Sequence, residues 1–99
     1  MKQKHTLLVV DDYPPARDAV RFALRAEFNC LCADSAREGL EILRREPVDV
    51  VVLDIRMPEM DGIEALRRIK EMGTDAQVIL LTGYGSFETA RKAVRYGAF

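Results

Sequence analysis

The side chains best placed to do chemistry in this chain are three carboxylates and a hydroxyl: Asp11, Asp12, Asp54 and Thr82. The first two follow the apolar run Thr6 to Val10, Asp54 ends the run Val48 to Leu53, and Thr82 ends Gln77 to Leu81. A carboxylate at the end of a buried strand is a charge at the rim of a core and needs a partner there. Carboxylates brought close together repel and hold their protons more tightly unless a cation intervenes. A hard divalent ion with oxygen ligands resolves that repulsion, and magnesium suits a site that also handles phosphate. A loop made to hold phosphate directly offers glycines and backbone amides. Asp11-Asp12-Tyr13-Pro14-Pro15 offers negative charge and two residues without an N–H, so the pattern reads as a metal site first and a phosphate site second. Beside a bound ion, one carboxylate can still attack phosphorus to give an acyl phosphate. The Thr82 hydroxyl and the Gly83 amide can hold a phosphoryl oxygen.

Taken singly, each residue has a plainer reading. Asp12 can be the N-cap of the first helix and Asp11 a solvated loop residue. Asp54 can form a turn, Thr82 can end a strand, and Gly83 and Gly85 serve a turn in any case. Met57 and Met60 read as packing. What favours chemistry is the joint placement of the oxygens at successive strand ends.

The elements that must position them alternate along the chain. Strands are expected at Thr6 to Val10, Asn29 to Ala33, Val48 to Leu53 and Gln77 to Leu81. Valines and leucines in short continuous runs fit strands buried on both faces, as in a parallel sheet. The first helix starts at Pro14-Pro15, where proline is tolerated, carries Ala16, Val20, Ala23 and Leu24, and runs to about Glu27 or Phe28. The second opens on a capping box, Ser35 with Glu38, presents Ala36, Leu40 and Leu43 on one face and stops before Pro47. The third starts near Asp61-Gly62, carries Ile63, Leu66, Ile69 and Met72 and stops at Gly73-Thr74-Asp75. The fourth is capped by Ser86, buries Phe87, Ala90 and Val94 and ends near Gly97. Four strand-then-helix repeats argue for an α/β, doubly wound parallel sheet with helices on both faces. In such sheets ligands bind outside the carboxyl ends of the strands.

Length and composition fit one ordinary globular domain, residues 1–99, with 48% hydrophobic and 31% charged residues. A formal net charge of -1 offers no bulk attraction for nucleic acid or a membrane surface. The start, Met1 to Asp12, has too short an apolar run for a leader, and no run approaches membrane-spanning length. Cys30 and Cys32, two apart on a strand, cannot readily bridge and make a poor zinc site alone, so they read as reduced thiols of a cytoplasmic protein. His5 reads as solvated.

With these motifs in view, the sequence resembles the receiver domain of bacterial two-component response regulators. The resemblance rests on VVDD at Val9 to Asp12, VVLDIRMPEMDG at Val51 to Gly62, LLTGYGS at Leu80 to Ser86 and KAVRYGAF at Lys92 to Phe99. The flavodoxin-like (CheY-like) strand order, 2-1-3-4 here, comes with the resemblance and not from the spacing. The resemblance implies that Asp54 accepts a phosphoryl group from a phosphohistidine on a sensor histidine kinase. It implies a magnesium ion held by Asp11, Asp12, Asp54 and the backbone carbonyl of Arg56. It further implies that Thr82 follows the phosphoryl group and that Tyr84 tunes its lifetime. A module of this kind catalyses only its own modification and signals, in the full protein, through a C-terminal output domain.

The family continues into a fifth strand, a lysine and a fifth helix, whereas this sequence ends at Phe99. The expectation is therefore a receiver domain lacking the fifth strand and fifth helix, with Gln77 to Leu81 as a bare edge that pairs with another copy, as a homodimer or element-swapped oligomer. The alternative function is a phosphorylation-deficient docking or dimerisation module. A phosphatase with an aspartate nucleophile is disfavoured because Arg56 stands where such enzymes place a second acid. A flavodoxin is disfavoured by the acidic, proline-bearing first loop.

Overall fold

A computed structural model describes residues 4–81. The expected fourth helix, and with it Thr82, Gly83 and Tyr84, lies outside the described residues. Within them the order is β1 (His5–Val10), α1 (Pro14–Leu24), β2 (Phe28–Ala33), α2 (Ala36–Arg45), β3 (Val50–Asp54), α3 (Gly62–Glu71) and β4 (Gln77–Leu81). The strands form one parallel sheet in the order β2-β1-β3-β4. This is the expected doubly wound arrangement, since the strands carry side chains that alternate between two buried faces. Leu8, Val10, Val51, Leu53 and Val78 pack under α2 and α3, against Leu40, Leu66 and Ile69 among others. Leu7, Val9 and Val52 point the other way and pack with Val20 and Leu24 of α1.

Several boundaries differ from the sequence reading. Helix α1 stops at Leu24 rather than near Glu27, because the Glu27 amide turns back onto the Leu24 carbonyl and Phe28 already pairs with His5 in the sheet. Strand β3 starts at Val50, not Val48, and includes Asp54. Asp49 interrupts the apolar run because it ties two strands together. Its Oδ2 accepts the Thr6 amide at 2.8 Å and lies 3.5 Å from His5 Nδ1. His5 is thus exposed, as expected, with its ring beside the Asp49 carboxylate.

Helix α2 begins as expected, with Ser35 Oγ accepting the Glu38 amide. The reciprocal bond is displaced by one residue, since Glu38 Oε1 accepts the Asp34 amide rather than that of Ser35. Its buried face comprises Ala36, Gly39, Leu40 and Ile42, with Leu43 only half-buried. Gly39 escapes the apolar pattern because it has no side chain to count. A Cβ there would stand 2.8 Å from Val10 Cγ2, so the glycine sets how closely α2 approaches the end of β1. Both cysteines are free thiols, with Cys30 packed on the α1 face and burial pushing the Cys32 thiol up.

Candidate functional site

Register places the acidic residues together. Val10 pairs with Leu53, so Asp11, the next residue, stands level with Asp54, which itself pairs with Leu81. β1 and β3 are neighbours in the centre of the sheet, and their carboxyl ends open on the same rim.

The loop after β1 is short and held at several points. The Asp11 amide donates to the Ala33 carbonyl at 3.1 Å, extending the β1–β2 ladder by one bond. Asp11 Oδ1 accepts the Tyr13 amide at 2.9 Å, closing an Asx turn. Arg17 Nη1 donates to the Asp11 carbonyl at 3.0 Å. Tyr13, not Asp12, is the N-cap of α1, with proline in the first turn and no side-chain cap bond. The plain reading of Asp12 as a helix cap therefore fails, as does that of Asp11 as a merely solvated residue. Asp12 is exposed and Asp11 half-buried.

Asp54, the last residue of β3, enters the same space just before the next loop. That loop runs from Ile55 to Asp61, where Asp61 Oδ1 accepts the Glu64 amide at 2.9 Å and caps α3. Met57 is buried and anchors the loop to the α2–α3 core, as the packing reading expected. Glu59 adopts φ 69°, the left-handed region, and the Met60 amide bonds the Pro58 carbonyl at 2.7 Å. Gly62 closes the loop, its amide donating to the Ile55 carbonyl at 2.7 Å. A Cβ at Gly62 would lie 2.7 Å from Ile55 Cα and inside contact distance of the Asp54 carbonyl oxygen. Only glycine allows α3 to begin so close to the residue that ends β3.

One carboxylate oxygen from each of Asp11, Asp12 and Asp54 lies within 4.8 Å of the others. Burial first, and then the Asp11 carboxylate, pushes the Asp54 carboxyl above its usual range. Asp12 adds to that, while the backbone N–H groups of Arg56 and Ile55 donate to Asp54 and oppose it. Such a set is destabilised by its own charge, and a divalent cation with oxygen ligands would offset that repulsion. The donor chemistry fits: two carboxylates from the loop after β1 and one from the last residue of β3, partly open to water. The trio expected from sequence is thus brought together. Arg56 is exposed, its N–H already directed to Asp54. Gly62 and Arg17 are the residues that sequence reasoning missed at this site. The first is signalled by its place just after the helix cap Asp61.

The sequence model for the response regulator receiver domain matches residues 7–99. The chain belongs to the response regulator receiver domains. Among curated relatives, it is 44% identical over 95 residues to the regulatory protein AtoC of Escherichia coli (strain K12), covering 94% of this chain. It spans about a fifth of AtoC's length, at 20%. Among solved structures, a response regulator receiver domain protein from Clostridium thermocellum is 36% identical with a TM-score of 0.89, covering 96% of this chain and 78% of the other. A CheY-like receiver domain protein from Methanospirillum hungatei JF-1 gives a TM-score of 0.92 at 29% identity, covering 97% and 78%. Receiver domains serve phosphorylation-dependent signalling in two-component systems and are regulators rather than turnover enzymes. In this receiver domain, no helix among the described residues is long and apolar enough to cross a membrane.

Proposed function

We propose that this receiver domain accepts a phosphoryl group on Asp54 from a phosphohistidine of a sensor histidine kinase, with Asp11, Asp12 and Asp54 holding magnesium. The observation that carries the reading is the convergence of the three carboxylates within 4.8 Å, at the rim where β1 and β3 end. A pure docking module has no need of three mutually repelling carboxylates in one place.

A free Asp54 oxygen attacks phosphorus. The new O–P bond forms as the P–N bond to imidazole breaks, and the departing nitrogen keeps the electron pair. Asp54 is suited to this because it is half-buried yet open at the rim, and the Ile55 and Arg56 amides orient its carboxylate. Asp11 and Asp12 hold the ion together with Asp54 and the Arg56 carbonyl. When bound, magnesium offsets the charge that builds on the transferring group. Thr82, next after Leu81, supplies a hydroxyl to a phosphoryl oxygen, Gly83 an amide, and Tyr84 tunes the phosphoryl lifetime. The domain modifies itself and turns over no separate substrate.

The same reading makes residues 1–99 one domain, cytoplasmic, not itself binding nucleic acid or membrane, and acting through an output domain elsewhere in the full protein. It also includes self-association: among the described residues β4 pairs on one side only, with β3, and presents the exposed Ile79 and Leu81. Sedimentation showing only monomer at high concentration would remove that part.

The test is incubation with magnesium and acetyl phosphate, followed by intact mass. One phosphoryl group is expected on the wild-type chain and none on Asp54→Ala or in excess chelator. A wild-type mass that does not change would reject the reading.

A further inference from the structure

The carbonyl of Asp11 lacks the donors that usually serve such an oxygen. As the chain turns from β1 into α1, local donors would be the amides three and four residues on, and both positions are proline, Pro14 and Pro15. A half-buried carbonyl without a donor is costly. Arg17 supplies the missing bond, its half-buried guanidinium reaching back from the first turns of α1 to the Asp11 oxygen at 3.0 Å.

We propose that Arg17 is a positioning residue for the cation site, fixing the peptide between Asp11 and Asp12 so that both carboxylates face Asp54. The inference rests on the proposed function. The orientation of that peptide sets ψ of Asp11 and φ of Asp12, and so the direction in which each carboxylate leaves the loop. Asp11 has two further restraints, its amide on Ala33 and its Oδ1 on Tyr13. Asp12 is exposed and lies outside α1, whose N-cap is Tyr13. Its direction is therefore governed by the peptide that Arg17 holds. The guanidinium acts through the backbone and touches neither the ion nor the reacting atoms. Its role is comparable to that of the groups which orient metal ligands from behind.

The experiment is calorimetric titration of magnesium into the whole chain at neutral pH, comparing wild type with Arg17→Met and Arg17→Lys. Methionine keeps an apolar stem but no donor, and lysine keeps a donor and the charge. The expected result is an affinity loss of about tenfold or more for R17M, with R17K recovering much of it, in the range typical of lost support behind a metal ligand. A role confined to folding would lower the unfolding temperature of R17M and leave the affinity of its folded fraction unchanged. R17M binding magnesium within about twofold of wild type would overturn the inference and leave the proposed function standing. If R17M does not fold, R17K decides alone: its looser single-point donor should weaken binding measurably, and an unchanged affinity counts against the inference. A wild-type chain that binds no magnesium would overturn both.

Discussion

Replacing Asp54 by asparagine should stabilise the domain in chelator and destabilise it, relative to wild type, in magnesium. Oxygens of the three carboxylates lie within 4.8 Å of one another. At that separation two unit charges repel by about 3.5 kcal/mol at an effective dielectric of 20 and by about 0.9 kcal/mol in bulk water. Asp54 faces two such neighbours, but the cluster stands at the solvent rim, so the lower figure is the better guide. Removing one charge should therefore gain about 1–2 kcal/mol at neutral pH and low salt. Asparagine keeps a carbonyl oxygen for the Ile55 and Arg56 amides, so little is lost in exchange. The sign with pH follows from the raised carboxyl of Asp54. The folded state keeps this proton to higher pH than the unfolded chain, whose usual value is 3.8. Stability of the chelated wild type thus falls as pH rises from that value through the raised one, and the loss persists at neutral pH. D54N should lack this fall. Thermal unfolding would read the difference as several degrees, at about 4–8 °C per kcal/mol for a domain of this size. Magnesium at about a hundred times its dissociation constant should add about 2.7 kcal/mol to wild type and less to D54N, reversing the order. A D54N protein less stable than wild type in chelator, or a wild type indifferent to magnesium, would refute the electrostatic reasoning.

Three further outcomes are expected. Gly62→Ala places a Cβ against the backbone of Asp54 and Ile55, and should cost about 1–3 kcal/mol in urea unfolding and weaken magnesium binding in the folded protein. Glu64, hydrogen-bonded by Arg67 and Arg68, has its carboxyl held down to about 2 from 4.5. Its contribution is present above the ordinary glutamate range and lost as pH falls through about 2. Glu64→Gln should flatten the acid limb of the stability profile while leaving the fall assigned to Asp54 in place. Ser35→Ala removes the side-chain acceptor of the Glu38 amide and should cost about 1 kcal/mol in the same unfolding measurement.

What is legible in the sequence follows from local rules. Gln77 to Leu81 is a short apolar run bounded by turn residues, and it is the strand observed. The acidic pair and Asp54 can be placed on one rim because parallel strands share their carboxyl ends. Asp12 reads as a cap because an acidic residue before a helix is a common N-cap. Pro14 at the first helical position moves the cap to Tyr13 instead. Asp49 looks like an interruption of a strand because its function is tertiary, bonding the Thr6 amide of a neighbouring strand. Gly39, Gly62 and Arg17 stay hidden for a related reason. Two are defined by how closely other elements approach them, the third by a carbonyl six residues away that two prolines leave without a local donor.

The most direct measurement is to treat the chain with magnesium and acetyl phosphate, reduce it with borohydride and map the peptides. Hydride converts an aspartyl phosphate to homoserine, so the modified residue is identified in place. Homoserine at position 54, and none there when chelator replaces magnesium, is the predicted result. Homoserine at Asp11 or Asp12 instead, or its unchanged appearance at 54 in chelator, would contradict a cation-bridged acceptor site.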